Sequence, residues 1–532
     1  MSQLTGRQAG TPLADSLSGT VEHSDSIDLA GTAIGNAWVT TFGGNDTLEG
    51  TASLVSSDGS AEATGIKTSW LDAGSGDDVF TVKANAAGKA QAIAYGVRWS
   101  SILGGSGNDA FSVFAGANST NFAGVTSTNP AKSYGLYRSS IFGGRGNDAI
   151  AITSTASGNQ PESYGTYEAS IFGENGDDTI TITGTGDGRL VGPLYGVYKG
   201  LINGGNGNDT LVLTSHSTGS YTASSIGVYE ASITGGRGDD TIAISGEGRG
   251  TYSGTGIGLR QGTVSGGSGD DVITLSGNGS GRGGNGIGVD RGSVSGGSGN
   301  DQVTISSAGN GAGGSSTGLY QGEVDTGAGQ DSITISSSGF GSLGVISIGV
   351  DQSAVRSGSG NDVIDITAIA DSSSPINGTA YGVRESQVDG GQGNDLINIS
   401  AQTTGRFLQG YGVYQSTVYG GDGDDVITLS GSTLAFQDAL IYGGNGNDVF
   451  DTGRGGGTID GGAGNDLIFL DFFDANLMTI AALDGNGLRI AAIVGARDTV
   501  DWNQTILNME QFQVGSSIFT TAVDVAAFLQ PA

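Results

Sequence analysis

One phrase recurs along almost the whole chain at near-constant spacing, and it restricts the fold more than any other feature. It reads Gly-Gly-x-Gly-[Asn/Asp]-Asp followed by alternating hydrophobic residues, and its last turn aspartates are Asp78, Asp109, Asp148, Asp178, Asp209, Asp240, Asp271, Asp301, Asp331, Asp362, Asp395 and Asp425. Most steps are 30 or 31 residues, one is 33 and one is 39. A form read as shortened, Gly43-Gly44-Asn45-Asp46, precedes them, and turns ending at Asp448 and Asp466 follow at steps of 23 and 18. Self-similarity at a fixed period marks a repeat architecture whose units bury their apolar faces only by stacking.

A second phrase, Tyr-Gly-Val-Tyr at its fullest (Tyr195 to Tyr198, Tyr411 to Tyr414), is locked to the first. Its glycine lies thirteen residues before each turn aspartate from Asp78 to Asp425; in the first repeat the expected equivalent is Gly35, eleven before Asp46. Length variation is therefore confined to the stretch between the hydrophobic run and the next Tyr-Gly. Stacked coils require this, since neighbours must match wherever they hydrogen-bond and only a protruding loop is free to vary. After each turn the pattern has period two, as in Thr241-Ile242-Ala243-Ile244 and Val426-Ile427-Thr428-Leu429, so the apolar members point inward. Val228 and Ile233 add two inward positions. The expectation is an all-β parallel β-solenoid, wound right-handed, of about fourteen coils. Each coil has three short strands separated by the Gly-Asp turn, the variable loop and a bend near Glu230-Ala231. Residues 1–30 form an N-terminal segment or cap, 31–470 the solenoid, and 471–532 a non-repeat C-terminal cap.

Composition agrees. Gly is 102 of 532 residues and Pro only 6, which excludes collagen and Pro-rich disorder. The net charge of −32 repels nucleic acid and attracts cations. Cysteine is absent, so disulfides and thiolate metal sites are excluded. The first residues have neither a basic n-region nor an apolar h-region, and no apolar stretch approaches membrane-spanning length; neither a cleavable signal peptide nor membrane insertion is expected.

The turn Gly204-Gly205-Asn206-Gly207-Asn208-Asp209 supplies glycines that let the backbone curl its carbonyls inward, plus a carboxylate. Carbonyl and carboxylate oxygens form a hard donor set suited to Ca²⁺. Aspartates stacked ~4.8 Å apart repel by about 1 kcal/mol even in bulk water, and a cation between successive turns turns that repulsion into cross-linking. The bland alternative is that Gly-Asn-Asp is simply a good tight turn.

These turns resemble the glycine- and aspartate-rich nonapeptide of RTX (repeats-in-toxin, hemolysin-type) proteins, most closely over Gly443 to Asp466. The resemblance implies calcium held between turns of adjacent coils by backbone carbonyls and the aspartates Asp46, Asp78, Asp109, Asp148, Asp178, Asp209, Asp240, Asp271, Asp301, Asp331, Asp362, Asp395, Asp425, Asp448 and Asp466. This chain departs from the family in carrying one nonapeptide per coil, hence one ladder along one side. Gly173-Glu174, Thr326-Gly327, Ser357-Gly358 and Ala73 are departures from the double glycine. RTX proteins typically leave Gram-negative bacteria by type I secretion through an uncleaved C-terminal signal, and residues 471–532, with Asn508-Met509-Glu510-Gln511, resemble such a region.

No catalytic constellation is expected. The two histidines, His23 and His216, are expected in polar loops beside no nucleophile or acid pair, and the tyrosine column Tyr137, Tyr167, Tyr198 and Tyr229 is expected to be a stacked ladder. The leading expectation is a non-enzymatic extracellular or cell-surface building block (layer, sheath, fibre or biofilm component) that self-associates into filaments or sheets. A first rung left open by the shortened turn would accept a neighbour's C-terminal end. The alternative is a monomeric adhesin or glycan binder, meeting cell-surface polysaccharide through loops such as 114–133 and 367–379. A β-helix polysaccharide lyase or epimerase ranks below both.

Overall fold

The computed structural model describes residues 4–9, 16–25, 29–57, 59–119, 130–373, 378–405, 409–472, 478–483, 486–492 and 503–529, with side chains from residue 31 onward. The N-terminal segment's side chains and parts of the two variable loops, 120–129 and 374–377, therefore lie outside the described residues. The chain divides into two compact units, Met1–Gly288 and Val289–Ala532.

Both units are parallel β-solenoid. A coil of the first unit consists of the strands Thr241–Gly250, Ser253–Arg260 and Thr263–Ser268. A coil of the second consists of Ser332–Gly341, Ile346–Asp351 and Ala354–Ser359. Each strand pairs in register with its equivalents one coil before and one after: Ile242 with Leu211 and Ile273, Ile333 with Val303 and Ile364. Like therefore stacks on like, and one alternating pattern repeated at constant spacing becomes a continuous apolar column. Val228, Ile233, Ile242 and Ile244 are all buried, each burial stabilising by roughly 1.5–3 kcal/mol before chain entropy is set against it. About twelve coils are of this regular kind, against the fourteen expected. The last two steps, 23 and 18 residues long, close with fewer, longer strands such as Leu434–Asn445.

The glycine of the Tyr-Gly phrase is explained by packing across the thin core. A Cβ on Gly196 would lie 2.6 Å from Gly227 O and 2.9 Å from Thr214 O. The bend expected at Glu230 is there, and its means were not visible beforehand. Glu230 has φ 46°, and equivalent non-glycine residues adopt the same left-handed conformation coil after coil, including Arg138, Glu168 and Lys199 in the first unit and Gln321, Gln352 and Gln415 in the second. The cost of this conformation is offset by the next residue. Ser100 Oγ accepts the Ser69 N–H at 3.0 Å, and Ser386 Oγ accepts the Ser353 N–H at 3.0 Å, so serines form a ladder beside the bend.

Two readings of the first repeat are corrected. Thr32 pairs with Thr64 and Ile34 with Ile66, so Ala33, not Gly35, is the equivalent of Gly65. The first turn is also full length. Thr41 and Phe42 occupy the two glycine positions, Phe42 with φ 73°, and the Gly44 N–H donates to Ser75 O at 2.8 Å. An open first rung caused by a missing turn is thereby removed. Parallel pairing also reaches further back, with Ser16–Asp25 in register with Thr47–Ser56.

The C-terminal cap leaves the parallel pattern. Met478–Ala482, Leu488–Ala492 and Asn503–Leu507 form an antiparallel sheet whose last strand joins Gly457–Asp460 of the final coil in parallel. Gln511 to Gln513 pair with Leu467–Phe469, and the helix Ala522–Leu529 follows, N-capped by Thr521, whose Oγ1 accepts the Asp524 N–H. The last apolar rung is thus covered, as a solenoid end requires.

Candidate metal centre

All fifteen turn aspartates point inward and are buried, none more than 2 % exposed. In the first unit each Oδ1 from Asp78 to Asp271 accepts the backbone N–H of the ladder aspartate one coil earlier; Asp178 N–H donates to Asp209 at 2.8 Å and Asp209 N–H to Asp240 at 2.7 Å. The second unit repeats this from Asp331 to Asp466, with Asp395 N–H donating to Asp425 Oδ1 at 2.8 Å. A second ladder, which sequence reasoning missed, runs the opposite way on the exposed side. The residue before most of these aspartates accepts from the coil after it, as when Asp239 N–H donates to Asn208 Oδ1 at 2.9 Å and Asp424 N–H to Asn394 Oδ1 at 2.7 Å. Its sequence signal is the Asn-or-Asp choice at that position, since either side chain supplies the accepting oxygen.

Oδ1 is satisfied, but Oδ2 is not. In Asp109, Asp148, Asp178, Asp209, Asp240, Asp395, Asp425 and Asp448 the second oxygen is buried without a hydrogen-bond partner. A buried orphan oxygen on a carboxylate is costly, and eight in equivalent positions call for a common explanation. Burial pushes Asp178, Asp240 and Asp425 up to about 7, and Asp209, Asp395 and Asp448 up to about 6, against the donated N–H, which acts in the other direction.

The orphan oxygen faces a cradle at the first glycine of its own turn. A Cβ placed on Gly204 would lie 2.3 Å from Asp209 Oδ2 and 2.6 Å from the Gly235 carbonyl of the next coil. On Gly443 it would lie 2.2 Å from Asp448 Oδ2 and 2.4 Å from Gly461 O. A carboxylate oxygen and a neighbouring coil's carbonyl thus converge on a space kept open by glycine. The second and fourth turn positions supply further stacked carbonyls: Gly205 O faces Gly236, and Gly207 O faces Gly238. Every donor is a hard oxygen, the set that suits Ca²⁺. Among the described residues no three His, Asp or Glu side chains converge, so each coil brings one carboxylate and the backbone must supply the rest.

Four turns differ. Thr41, Ala73, Thr326 and Ser357 stand at the first position before Asp46, Asp78, Asp331 and Asp362. Thr326 Oγ1 donates to Ser357 O at 3.0 Å, and Ser357 Oγ to Gly390 O at 2.6 Å. Burial raises Asp331 and Asp362 as well, while the donated N–H of the coil before and the neighbouring Thr326 and Ser357 hydroxyls act in the other direction. In these turns a side chain fills the space that glycine leaves open elsewhere. Glu174, at a second position with φ 82°, leaves the Gly173 cradle untouched.

The family model described as RTX calcium-binding nonapeptide repeat (4 copies) matches three segments, residues 201–213, 414–431 and 442–474. The chain carries RTX hemolysin-type calcium-binding repeats. The matched segments of the RTX repeat contain Asp209, Asp425, Asp448 and Asp466, and the other turns share their hydrogen-bonded geometry at steps of about 31 residues. RTX repeats bind calcium, and the stacked buried aspartates are consistent with that. No curated protein matches the chain.

The tyrosines stack as expected, and in two columns. Tyr137, Tyr167, Tyr198 and Tyr229 have centroids 5.0, 4.9 and 5.3 Å apart, beside Tyr95, Tyr134, Tyr164 and Tyr195 at 5.0, 5.0 and 5.3 Å. The histidines are not in loops. His23 lies on the strand Ser16–Asp25, and His216 on Thr210–Tyr229, where Nδ1 meets Glu247 at 2.9 Å and Nε2 meets Thr218 at 3.2 Å.

Proposed function

We propose that the chain is a secreted, non-enzymatic structural protein of the cell surface or extracellular matrix, which folds on calcium outside the cell and then assembles with copies of itself. The observation that carries this reading is the column of buried carboxylates with an orphan Oδ2 facing a glycine cradle. Without a cation such a column opposes folding, and with one it cross-links successive coils. A chain of this kind stays unfolded where calcium is scarce, which suits export through a type I machine, and folds where calcium is abundant. RTX repeat proteins are typically secreted. His216 engages Glu247 and Thr218 rather than a nucleophile.

The cap covers the last coil, so association proceeds through the sides, where Trp38, Trp70 and Trp99 stand exposed on the first unit. Electron microscopy of the purified chain, as calcium is raised from zero to millimolar, tests the reading. Ordered fibres or sheets appearing only with calcium are expected. Isolated particles at every concentration would remove the assembly role.

A second reading, a calcium-dependent glycan binder, is favoured by one groove of about 580 Å³ on the first unit, lined by Asn85, Phe114, Thr155, Thr185, Asp187 and His216. Hydroxyl, amide and aromatic groups of this kind suit a saccharide chain, and retention on immobilised polysaccharide by isolated particles would support it.

A further inference from the structure

The aspartate ladder does not stop at the last RTX turn. Asp466 N–H donates to Glu510 Oε2 at 3.0 Å, the bond that the second unit's earlier ladder aspartates, from Asp301 to Asp448, each make to the aspartate of the next coil. Register explains it. Asp460 pairs with Leu507 and Leu467 with Gln511, so the three residues Asn508-Met509-Glu510 shortcut the six-residue turn Gly461–Asp466. Glu510 falls opposite Asp466, and its extra methylene lets a shorter loop reach the ladder.

Asn508 completes the likeness. In the preceding turns the next coil's first glycine turns its carbonyl toward the cradle. At Gly461 that place is taken by Asn508 O, 2.3 Å from where a Cβ would be, with Asp466 Oδ2 at 2.5 Å. Asn508 takes φ 48°, and its Nδ2 donates to Asp460 Oδ1 at 2.7 Å, fixing the peptide that carries the carbonyl. Asp466 is fully buried and its Oδ2 has no hydrogen-bond partner. Two carboxylates and a carbonyl therefore meet at the junction between the last coil and the cap, although residues 508–510 lie outside every segment that matches the repeat.

We propose that Asn508 and Glu510 close the last calcium site, so that calcium fastens the C-terminal cap to the final coil. The proposal rests on the reading of the aspartate ladder as the calcium site. Once Ca²⁺ is held there by Asp466, Asn508 O and Glu510, the antiparallel cap sheet is tied to the same ion that orders the repeats, and export ends with the cap locking as calcium is met.

Hydrogen-exchange mass spectrometry of the full chain during a calcium titration separates the possibilities. Peptides from Val426–Gly431 report the ladder and peptides from Asn503–Val514 the cap. In the unaltered chain calcium is expected to protect both. In Glu510→Gln, whose amide oxygen still accepts the Asp466 N–H, the ladder should keep its midpoint while the cap requires at least tenfold more calcium. An unchanged cap midpoint in Glu510→Gln would rule Glu510 out as a ligand. Should the cap of that variant stay unprotected at every concentration, trivalent terbium, which takes the same oxygen donors with a higher charge, decides. Recovery of cap protection in Glu510→Gln with a terbium midpoint supports the ligand role, and equal failure assigns Glu510 to packing and overturns it. If calcium protects neither region of the unaltered chain, the ladder reading itself fails, and this proposal with it.

Discussion

A ladder aspartate such as Asp178 holds two oxygens in unequal circumstances. Oδ1 takes a backbone N–H at 2.7 Å, and Oδ2 has none. Burial therefore favours the protonated form, and the carboxyl rises from its ordinary 3.8 to about 7. A carboxyl raised in the folded state holds more protons there than in the unfolded chain. Its contribution is then fully present below pH about 4 and is lost as pH climbs through about 7. In chelator, the β-sheet circular dichroism signal should accordingly be stronger at pH 5, where protons neutralise the ladder, than at pH 8. With millimolar calcium the trend should reverse, because the cation displaces the protons and binds better as they leave. Spectra at both pH values with and without calcium read this directly, and a chelated protein equally folded at both would mean that the carboxylates are otherwise satisfied. Thr326 and Ser357 illustrate the alternative: a hydroxyl fills the cradle and engages the next coil's carbonyl there.

Strands in these coils are short, and none could hold its face alone. Their stability comes from columns, and the tyrosine pair shows how much one column member carries. Tyr134 stacks at 5.0 Å on both Tyr95 and Tyr164 and meets Tyr137 and Tyr167 edge-on. Tyr134→Ala removes a nearly buried ring from the middle of the stack and should cost on the order of 3 kcal/mol. Urea unfolding of the calcium-loaded chain would measure it. A loss below about 0.5 kcal/mol, the level of an ordinary surface change, would mean that the column is ornamental. The bend beside it is built differently, from a left-handed residue of varied type, Trp99 among them, followed by a small one, with the serine ladder satisfying buried N–H groups. Element boundaries here follow from what lies one coil away.

For the molecule as a whole, charge sets the condition for folding. A chain of net charge −32 with a buried carboxylate in every coil has little reason to compact until cations arrive. The cradle combines rigid carbonyls with one or two carboxylates and a flexible ligand number, which suits Ca²⁺. Mg²⁺ demands near-ideal octahedral geometry and keeps its water. Calcium should therefore produce the β-sheet circular dichroism signal cooperatively, since each site joins two coils, whereas equal magnesium should not. Equal folding by both ions would reduce calcium's part to charge screening.

Much of this was legible in the residues. Constant spacing from turn to Tyr-Gly dictated stacked coils, period two dictated which side chains face in, and the glycine-aspartate turn dictated a hard-oxygen site, because each of these depends on near neighbours in the chain. Other features had no such local signal. The left-handed bend falls mostly on Glu, Lys, Arg and Gln, and once on Trp99, which carry no turn preference of their own. Thr41-Phe42 conceals a full-length turn, recognisable only by its register with Ala73-Gly74. The orphan Oδ2, the opposed Asn/Asp ladder and Glu510 in the place of an aspartate arise from partners 18 to 44 residues away. A residue's own chemistry fixes what it can offer; which oxygen is left without a donor, and which residue stands opposite it, depends on the coil stacked against it.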